Sequence, residues 1–415
     1  MSAAGCQATD CAAGRGRRVF SFGLKLVVVS AAALVLAACE KKPPVELPDQ
    51  LLLIPTSYDI LPGWGEDTVS DAVPALIRSC ARLLGQPDAR PVGPGGGGLA
   101  GTVADWRPAC AAVGAVPAGD DGAARAALEA WFAPFKAMNN DRESGLFTGY
   151  YEAELRGALA PDGTYRFPLY RKPPDLITVD LSTFRADLSG QIFGRVAGER
   201  LVPYFSREEI ERGAIDGEDT ALLWSDDPVD VFFLHVQGSG QVTLPDGTVR
   251  RVGFAASNGL DFYPIGRALL DEGKVSRDNA SMQAMRAWLR AHPTEAAEIM
   301  RRNARYIFFR WIDGDGPIGS QGVALTPGRS LAVDPAYLPL GVPVFLDTTW
   351  PGSDRPLRRL LVAQDTGSAI KGPLRGDFFW GAGEAALAEA GRMKQSGKIY
   401  ILLPKPVAER RKITS

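Results

Sequence analysis

Three aspartates near the C-terminus have the residue type and the setting that proton transfer requires. Asp334, Asp365 and Asp377 each lie at or near the end of an apolar run where a tight turn begins. Functional side chains concentrate on loops that a rigid scaffold holds in place. An aspartate before Pro or before Thr-Gly can instead serve only to cap its turn, so each position alone leaves both interpretations open.

Asp377 differs from the other two aspartates in its neighbours. Aromatic residues follow it directly at positions 378–380. Aromatic surroundings exclude water and disfavour the charged carboxylate, which raises its pKa toward the value that a general acid needs near neutral pH. Arg375 lies two positions earlier and could pair with the carboxylate, which would lower the same pKa. The sequence therefore leaves the sign of the shift open.

The composition argues against several other kinds of chemistry. The chain of 415 residues contains only 2 histidines, His235 and His292, so a multi-histidine metal site or a two-metal hydrolase is nearly excluded. A Ser-His-Asp hydrolase would lack its G-x-S-x-G turn, and we expect His235 to be a packing residue within a strand. The formal net charge of −2 argues against a nucleic-acid partner. We expect no metal and no cofactor.

Neutral polar residues beside glycines and tyrosines form a second group of candidates. They occupy residues 147–152, 237–240 and 257–259. Neutral donors and acceptors together with aromatic faces suit an uncharged, hydroxyl-rich polymer. They suit a phosphate poorly, since the usual lysine of a phosphate loop is missing. The alternative is that these segments are glycine turns in which Ser and Asn bond their own backbone.

The N-terminus has the pattern of a bacterial export signal. Basic residues precede an apolar run over residues 26–38, and Cys39 follows. The run is too short to span a bilayer but fits a signal peptide, and small residues before the cysteine resemble a lipoprotein cleavage site. We predict a signal peptide over residues 1–38, lipidation of Cys39 and a tether over residues 39–60; an accidental cysteine is the alternative. Glu40, in place of Asp, favours the periplasmic face of the outer membrane.

Export also changes how the remaining cysteines are interpreted. After processing, Cys80 and Cys110 are the only cysteines besides the lipidated one. A pair of cysteines in an oxidising compartment more often forms a disulfide than a reactive site. We therefore expect a bond between them.

The elements that must position these residues are predicted to be mainly strands. Gly 46 and Pro 31 among 415 residues favour short strands and many turns. Apolar runs predict strands at 147–155, 164–170, 229–237, 242–254 and 399–404, and the fourth of these contains a Pro-Asp-Gly hairpin turn. Helices are predicted to begin near Ser70, Asp120, Ser281 and Thr294; the second would carry Phe132 and Phe135 on its apolar stripe.

Five motifs, matched in order, resemble the membrane-bound lytic murein transglycosylase A family over roughly residues 60–405. They are FTGYYE (147–152), FFLHVQGSG (232–240), SNGLDFYPIGRAL (257–269), GPIGSQGVALTPGRSLAVDP (316–335) and AQDTGSAIKGPLRGDFFWGAG (363–383). The last two include the aspartates of a three-aspartate domain. Ser368 stands where the family pattern often has a second glycine, which we expect to be tolerated.

The resemblance implies a mainly β fold with flanking helices. It consists of a double-psi β-barrel domain, a smaller inserted β-barrel and a groove between them. The first domain would comprise residues 61–156 and 254–405, the insertion residues 157–253, and a tail residues 406–415. The glycan strand of peptidoglycan would lie in the groove.

The resemblance also implies the residue roles. Asp377 would be the single catalytic acid, with Asp365 and Asp334 supporting the site. The residues expected to bind substrate are Thr148, Tyr150, Gln237, Ser239, Asn258, Gln364, Lys371 and Arg375. Asp377 would protonate the glycosidic oxygen and then accept a proton as a 1,6-anhydro ring closes.

Two other functions stay open at this point. One is a peptidoglycan hydrolase in which Asp365 or Asp334 serves as the base beside Asp377. The other is a noncatalytic murein-binding lipoprotein. Further partners among cell-wall synthesis or division proteins are left open.

Overall fold

The computed structural model describes residues 48–94, 98–185, 187–215, 220–276, 281–314 and 316–414. The predicted signal peptide, Cys39 and most of the tether lie outside the described residues. The strands are β1 (Leu51–Pro55), β2 (Phe132–Asn139), β3 (Gly145–Ala158), β4 (Phe167–Tyr170), β5 (Ile177–Asp180), β6 (Gln191–Ala197), β7 (Arg200–Pro203), β8 (Ala221–Ser225), β9 (Ser239–Thr243), β10 (Val249–Ser257), β11 (Ile307–Ile312), β12 (Ser330–Val333), β13 (Pro343–Thr349), β14 (Pro356–Asp365), β15 (Arg375–Ala382) and β16 (Lys394–Pro404).

Helices cover the strands at several places. They are α1 (Val73–Leu84), α2 (Val103–Gly114), α3 (Asp121–Trp131), α4 (Arg207–Glu211), α5 (Pro228–Gln237), α6 (Ile265–Asp271), α7 (Met282–Ala291), α8 (Pro293–Arg301), α9 (Gly383–Arg392) and α10 (Lys405–Thr414). None of the helices within the described residues is both long enough and apolar enough to cross a membrane.

Within the described part of the chain, six strands close into a barrel. β13 is antiparallel to β14 and β16, while β12 is parallel to β14 and antiparallel to β15. β15 runs parallel to β3, and β3 pairs with β16 to close the ring. Closure leaves no free edge, and mixed parallel and antiparallel pairs confirm the predicted barrel built from N- and C-terminal parts. Its core contains Val344, Phe345, Leu346, Val362 and Ile401, all inaccessible to solvent.

The second half of β3 leaves the barrel and enters another sheet. Residues 153–156 pair with β9, and β9, β10 and β11 follow as antiparallel neighbours, while β8 and β4 extend the other side. Because β11 returns to pair with β10, this sheet takes strands from residues 153–312. That span is wider than the 157–253 predicted for the insertion. β5, β6 and β7 form a separate small sheet.

The segment 229–237 was predicted to be a strand, and this prediction is wrong, because it forms helix α5. Asp227 caps the helix by accepting hydrogen bonds from the backbone amides of Val229 and Asp230. Gly238 ends it with φ of 81°, a left-handed conformation that favours glycine. A continuous apolar run is compatible with a buried helix as well as with a strand, so the caps at its two ends decide.

Helix α3 also differs from its prediction, because it stops at Trp131. Phe132 and Phe135 belong to strand β2 and are buried there, rather than lying on the apolar stripe of the helix. Thr294 does not cap a helix, since α8 begins one residue earlier at Pro293. The prediction at Ser281 is confirmed, because its side chain accepts a hydrogen bond from the Ala284 amide at the start of α7.

A disulfide joins Cys80 in α1 to Cys110 in α2, the two cysteines that were expected to pair. Both sulfur-bearing residues are buried against the barrel core. The bond holds two helices together on the side of the barrel formed by the N-terminal part of the chain.

Candidate active site

Asp377 and Asp365 lie on two strands that flank β12. Ala332 of β12 is level with Asp377 in β15 on one side and with Asp365 in β14 on the other. Two strand spacings separate the backbones of the two aspartates by roughly 10 Å. β3 lies beyond β15 and places Thr148 directly opposite Asp377. The barrel register thus brings two of the three predicted aspartates to one level.

One oxygen of Asp377 is held by a neighbouring hydroxyl. Thr148 Oγ1 donates a hydrogen bond of 2.5 Å to Asp377 Oδ1, and Arg375 Nη2 donates one of 2.9 Å to Thr148 Oγ1. Arg375 Nη1 bonds the carbonyl oxygens of Leu146 and Gly376, so the guanidinium lies along the backbone. Among the described residues, Arg375 and Asp377 form no ion pair within 4.0 Å.

Burial decides the sign of the pKa shift that the sequence left open. Removal from water raises the pKa of Asp377 to about 6, and the nearby charge of Asp365 adds to the rise. The hydrogen bond from Thr148 and the charge of Arg375 oppose it but do not overcome it. Asp377 therefore has the elevated pKa that a general acid needs near neutral pH.

The aromatic residues around Asp377 have different roles. Side chains alternate along a strand, so only Phe379 lies on the same face of β15 as Asp377, and its ring centroid is 5.1 Å from that of Tyr150. Phe378 and Trp380 pack together on the other face at 4.7 Å. A side chain at Gly149 would place its Cβ 2.5 Å from Trp380 Nε1, so glycine lets β3 approach β15 here.

Both oxygens of Asp365 are engaged by donors. Oδ1 accepts from the Ser320 amide and hydroxyl, each at 2.8 Å, and from the Thr366 amide at 2.9 Å. Oδ2 accepts from the Tyr150 hydroxyl at 3.1 Å. Burial raises the pKa of Asp365 above its usual value, and these hydrogen bonds oppose the rise without cancelling it. Asp365 therefore accepts a hydrogen bond from Tyr150 at the site, and each of its oxygens already accepts at least one hydrogen bond.

Asp334 is not part of this constellation. It is 4% exposed, and its oxygens accept from the backbone amides of Ala336 at 3.1 Å and Gly372 at 2.8 Å. These bonds fix the turn after β12 and the loop that leads into β15. Asp334 therefore supports the loop that positions Asp377 without contacting the site.

The chain is similar to proteins of known family. The family model described as the MltA specific insert domain matches residues 146–310, and that of the 3D domain matches residues 329–403. A crystal structure of a membrane-bound lytic murein transglycosylase from Agrobacterium tumefaciens is 36% identical, covering 86% of this chain and 99% of that one, with a TM-score of 0.75. The chain belongs to the membrane-bound lytic murein transglycosylase A family.

Two further relatives extend the comparison. The lytic transglycosylase LtgG of Burkholderia pseudomallei is 41% identical, covering 86% of this chain and 98% of that one, with a TM-score of 0.58. The curated membrane-bound lytic murein transglycosylase A of Vibrio cholerae is 30% identical over 266 residues, or 62% of this chain. That match spans 65% of the relative, slightly less than two thirds of its length.

Two of the predicted sugar ligands are wrong in this member of the family. Asn258 is fully buried, and its side-chain amide donates to the Phe205 and Ala304 carbonyls, both at 2.9 Å. Gln364 is also fully buried and donates to the Ala75 carbonyl at 2.9 Å. Each amide is used to join elements of the protein itself, so neither is available to a ligand.

The other predicted ligands keep accessible surface. Thr148, Tyr150, Gln237 and Ser239 are half-buried, and Lys371 is exposed. Gln237 Oε1 accepts from the amide that follows Tyr150 in β3, at 3.2 Å. This bond links the end of helix α5 to the strand that carries Thr148 and Tyr150.

His235 is a packing residue, as predicted, although it lies on a helix. Arg207 Nη2 lies 3.1 Å from His235 Nδ1, so Nδ1 must accept and the ring carries its proton on Nε2. Burial and the Arg207 charge lower the pKa of His235 well below its usual value, which keeps it neutral. Its ring packs edge-on against Tyr306, with 4.3 Å between the ring centroids.

Two residues on the elements of the site, Ser320 and Glu152, were not predicted from the sequence. Ser320 lies in the GPIGSQG motif but carries no charge or periodic signal, and only the fold places it on Asp365. Glu152 is 3% exposed and accepts from Gln241 Nε2 at 2.9 Å and Arg251 Nε at 3.0 Å. It lies two alternations along β3 from Thr148, so strand period could have indicated it. No group of side chains in the described residues is arranged to hold a metal ion.

Proposed function

We propose that this protein is a peptidoglycan lytic transglycosylase. It would cleave the β-1,4 bond between N-acetylmuramic acid and N-acetylglucosamine and leave a 1,6-anhydromuramoyl end. The observation that carries the proposal is a difference in hydrogen bonding between two carboxyls that both have a raised pKa. Asp377 accepts a hydrogen bond from the described chain at one oxygen only, whereas both oxygens of Asp365 accept them. Membership of the family supports the same reaction.

In the first step, Asp377 acts as the general acid. With a pKa of about 6, about a tenth of the Asp377 side chains are protonated at neutral pH. Thr148 holds Oδ1, so the proton resides on Oδ2, and from there it passes to the glycosidic oxygen. The bond between that oxygen and the anomeric carbon breaks, and the leaving sugar departs as an alcohol.

In the second step, the same carboxylate acts as the base. The 6-hydroxyl of the muramoyl residue attacks its own anomeric carbon and passes its proton to Asp377 Oδ2. One C–O bond forms for the one that broke, and the acid is regenerated. No water enters the products, so one carboxyl suffices where a hydrolase needs two.

The geometry of Asp365 favours this route over a two-carboxylate hydrolase. An inverting hydrolase needs a base that holds water about 6.5–9.5 Å from the acid, and a retaining one needs a free nucleophile. Asp365 would have to give up hydrogen bonds from Ser320, Thr366 or Tyr150 to serve as either. A murein-binding protein without activity would gain nothing from a buried acid, which destabilises the charged form.

Thr148, Tyr150, Gln237 and Ser239 would contact the sugars on either side of Asp377, with Lys371 and Arg375 nearby. This role is supported by their polar side chains, which are half-buried and lie on or beside β3. Asn258 and Gln364 are not part of this set.

Digestion of purified murein tests the proposal. Wild-type protein should release anhydro-muropeptides, each one water molecule lighter than the hydrolysis product, and Asp377→Asn should release none while still binding murein. Asp354→Asn, an exposed carboxyl in the loop before β14, is the matched control and should match the wild type. Hydrated products, or normal turnover by Asp377→Asn, would refute the proposal.

We also propose that Cys39 is lipidated and anchors the protein to the periplasmic face of the outer membrane. The N-terminal sequence pattern supports this, and the relatives are named membrane-bound. Cys39→Ser should move the protein from the outer-membrane fraction to the soluble periplasm. A Cys39→Ser protein that stays in the membrane would contradict the anchor.

A further inference from the structure

A cavity of about 930 Å³ lies in the part of the protein built on the second sheet. Strands β4 and β8 bound it on one side, and helices α4, α5, α7 and α8 on the other. Its volume lies within the range of about 300–1,000 Å³ that is usual for ligand sites. Neither Asp377 nor Asp365 lines it, so the proposed reaction does not account for it.

Positive charge is in excess around this cavity. Among the described residues that line it, five arginines face three carboxylates. Most are paired: Arg156 lies 2.5 Å from Asp226, for example. Arg166 has no carboxylate partner in the described chain, and its guanidinium lies over the Phe167 ring at 5.5 Å. The wall therefore carries charge that a ligand with carboxylates would neutralise.

Arg207 adds a buried cation to the wall. It is 1% exposed, and its Nε and Nη2 atoms donate to Asn303, Arg305 and His235. Its Nη1 has two N–H groups, and within the described chain these reach only Glu211, over a long 3.4 Å. The Nη1 group of this buried guanidinium is thus held by one long bond, and a ligand carboxylate would give it a closer acceptor.

The remaining wall is apolar and aromatic. Phe167, Trp224, Phe232, Leu289 and Met300 contribute to it. The polar groups beside these rings are mostly charged, and charged groups beside apolar walls suit carboxylates and aliphatic side chains better than a hydroxyl-rich sugar, which needs neutral donors and acceptors. A ligand that combines carboxylates with aliphatic groups and amide backbone is an acidic peptide.

We infer that this cavity binds an acidic peptide, and that in the bacterial cell wall this is the stem peptide of peptidoglycan. The identity of the peptide rests on the proposed function. β3 connects the two sites: it carries Thr148, which bonds Asp377, and eight residues later Arg156, which lines the cavity. Eight residues of strand span at most about 26 Å.

This distance decides which stem peptide can enter. A stem of about five residues reaches at most about 17 Å when fully extended. A stem of this length does not cover the full length of strand between Thr148 and Arg156, so we infer that the bound peptide belongs to a sugar further along the same glycan strand. The cavity then favours long strands that still carry their peptides.

Peptide binding by calorimetry tests the inference without turnover. The probes are a synthetic stem pentapeptide with free carboxylates and the same peptide with every carboxyl amidated. Wild-type protein should bind the first and not the second. Arg166→Glu, which reverses the unpaired charge, and Ala297→Trp, which fills the cavity from α8, should each weaken binding at least tenfold.

Two matched controls distinguish effects on the cavity from effects of added charge or bulk elsewhere on the protein. Arg200→Glu reverses an exposed charge outside the cavity, and Ala287→Trp adds the same bulk to an exposed position of α7. Both should bind the peptide as the wild type does. Wild-type protein that does not bind the acidic peptide at millimolar concentration, or cavity variants that bind it normally, would overturn the inference.

Cleavage assays distinguish this inference from the proposed function. On peptide-free glycan strands the cavity variants should match the wild type, whereas on peptide-bearing strands they should lose at least threefold in kcat/KM. Asp377→Asn should bind the free peptide normally and cleave neither substrate. If the wild-type protein cleaves neither substrate, the proposed function is wrong, and peptide binding to the cavity is still tested by calorimetry. Equal loss on both substrates would overturn the peptide role.

Discussion

The Thr148 hydroxyl donates a 2.5 Å hydrogen bond to Oδ1 of Asp377 and accepts one of 2.9 Å from Arg375. A hydroxyl has a single proton, so accepting from Arg375 directs that proton to Asp377. Oδ1 is therefore an acceptor in both charge states of the carboxyl. Oδ2 is left as the oxygen that gains and loses the catalytic proton.

Removal of the Thr148 hydroxyl should change the pH profile as well as the rate. The hydrogen bond from Thr148 lowers the pKa of Asp377, which is about 6 in its presence. In Thr148→Val the pKa should rise, so the fall of kcat with increasing pH should begin at higher pH. Loss of orientation should reduce the maximal kcat about tenfold, or about 1.4 kcal/mol. Thr148→Ser retains the hydroxyl and should restore both; an unchanged profile in Thr148→Val would contradict the role.

The raised pKa of Asp377 should make stability depend on pH in a defined direction. The pKa rises from 3.8 to about 6 on folding, so the folded state binds the proton more tightly. The resulting stability is fully present below pH 3.8 and is lost as pH rises through 6, by about 3 kcal/mol in the limit of full burial.

Asp377→Asn removes this titration. Urea unfolding should find the variant more stable than the wild type at pH 8, with the difference shrinking toward pH 4. The Asp354→Asn control should follow the wild type at both values. A constant difference between Asp377→Asn and the wild type across this range would mean that the pKa of Asp377 is not raised.

Variants of Asp365 and Tyr150 should distinguish a loss of stability from a loss of catalysis. Asp365→Asn cannot accept all the bonds from Ser320, Thr366 and Tyr150, so we expect a loss of about 1–3 kcal/mol in unfolding free energy together with lower activity. Tyr150→Phe loses only the bond to Asp365, so it should lose less unfolding free energy than Asp365→Asn while kcat falls severalfold. A stable but inactive Asp365→Asn, beside an active Asp377→Asn, would exchange the two roles.

Gln364 should behave as a structural residue. Its amide joins β14 to helix α1 through the Ala75 carbonyl and to Ser79 at 2.8 Å. Gln364→Leu leaves these buried groups without partners and should lower the unfolding free energy by about 1–3 kcal/mol. Activity per folded molecule should stay within twofold of the wild type. A large rise in KM at unchanged stability would return Gln364 to the substrate site.

The sequence singled out Asp377 as the candidate acid because aromatic residues follow it directly, and of these Phe379 lies on its face of β15. It also predicted the β-rich body and several helix starts, where capping residues precede periodic apolar residues. Such features can be predicted from the sequence because they depend on contacts between residues only a few positions apart.

The remaining features depend on distant contacts. Asn258 lies beside Gly259, and a polar residue beside glycine has the same local pattern whether it faces solvent or joins buried strands. Gln364 lies beside Asp365, and its neighbours in the chain do not reveal that its amide is buried. Ser320 approaches Asp365 only after the barrel closes. Segment 229–237 became helix α5 because of its two ends, whereas its interior fitted either structure.

The origin of the oxygen atoms in the products tests the central claim most directly. Murein is digested by the wild-type protein in water enriched in heavy oxygen, and the released muropeptides are weighed by mass spectrometry. If Asp377 first donates a proton and then accepts one as the 1,6-anhydro ring forms, no heavy oxygen enters the new muramoyl ends. Heavy oxygen at those ends would show that water attacks the anomeric carbon and would contradict the account.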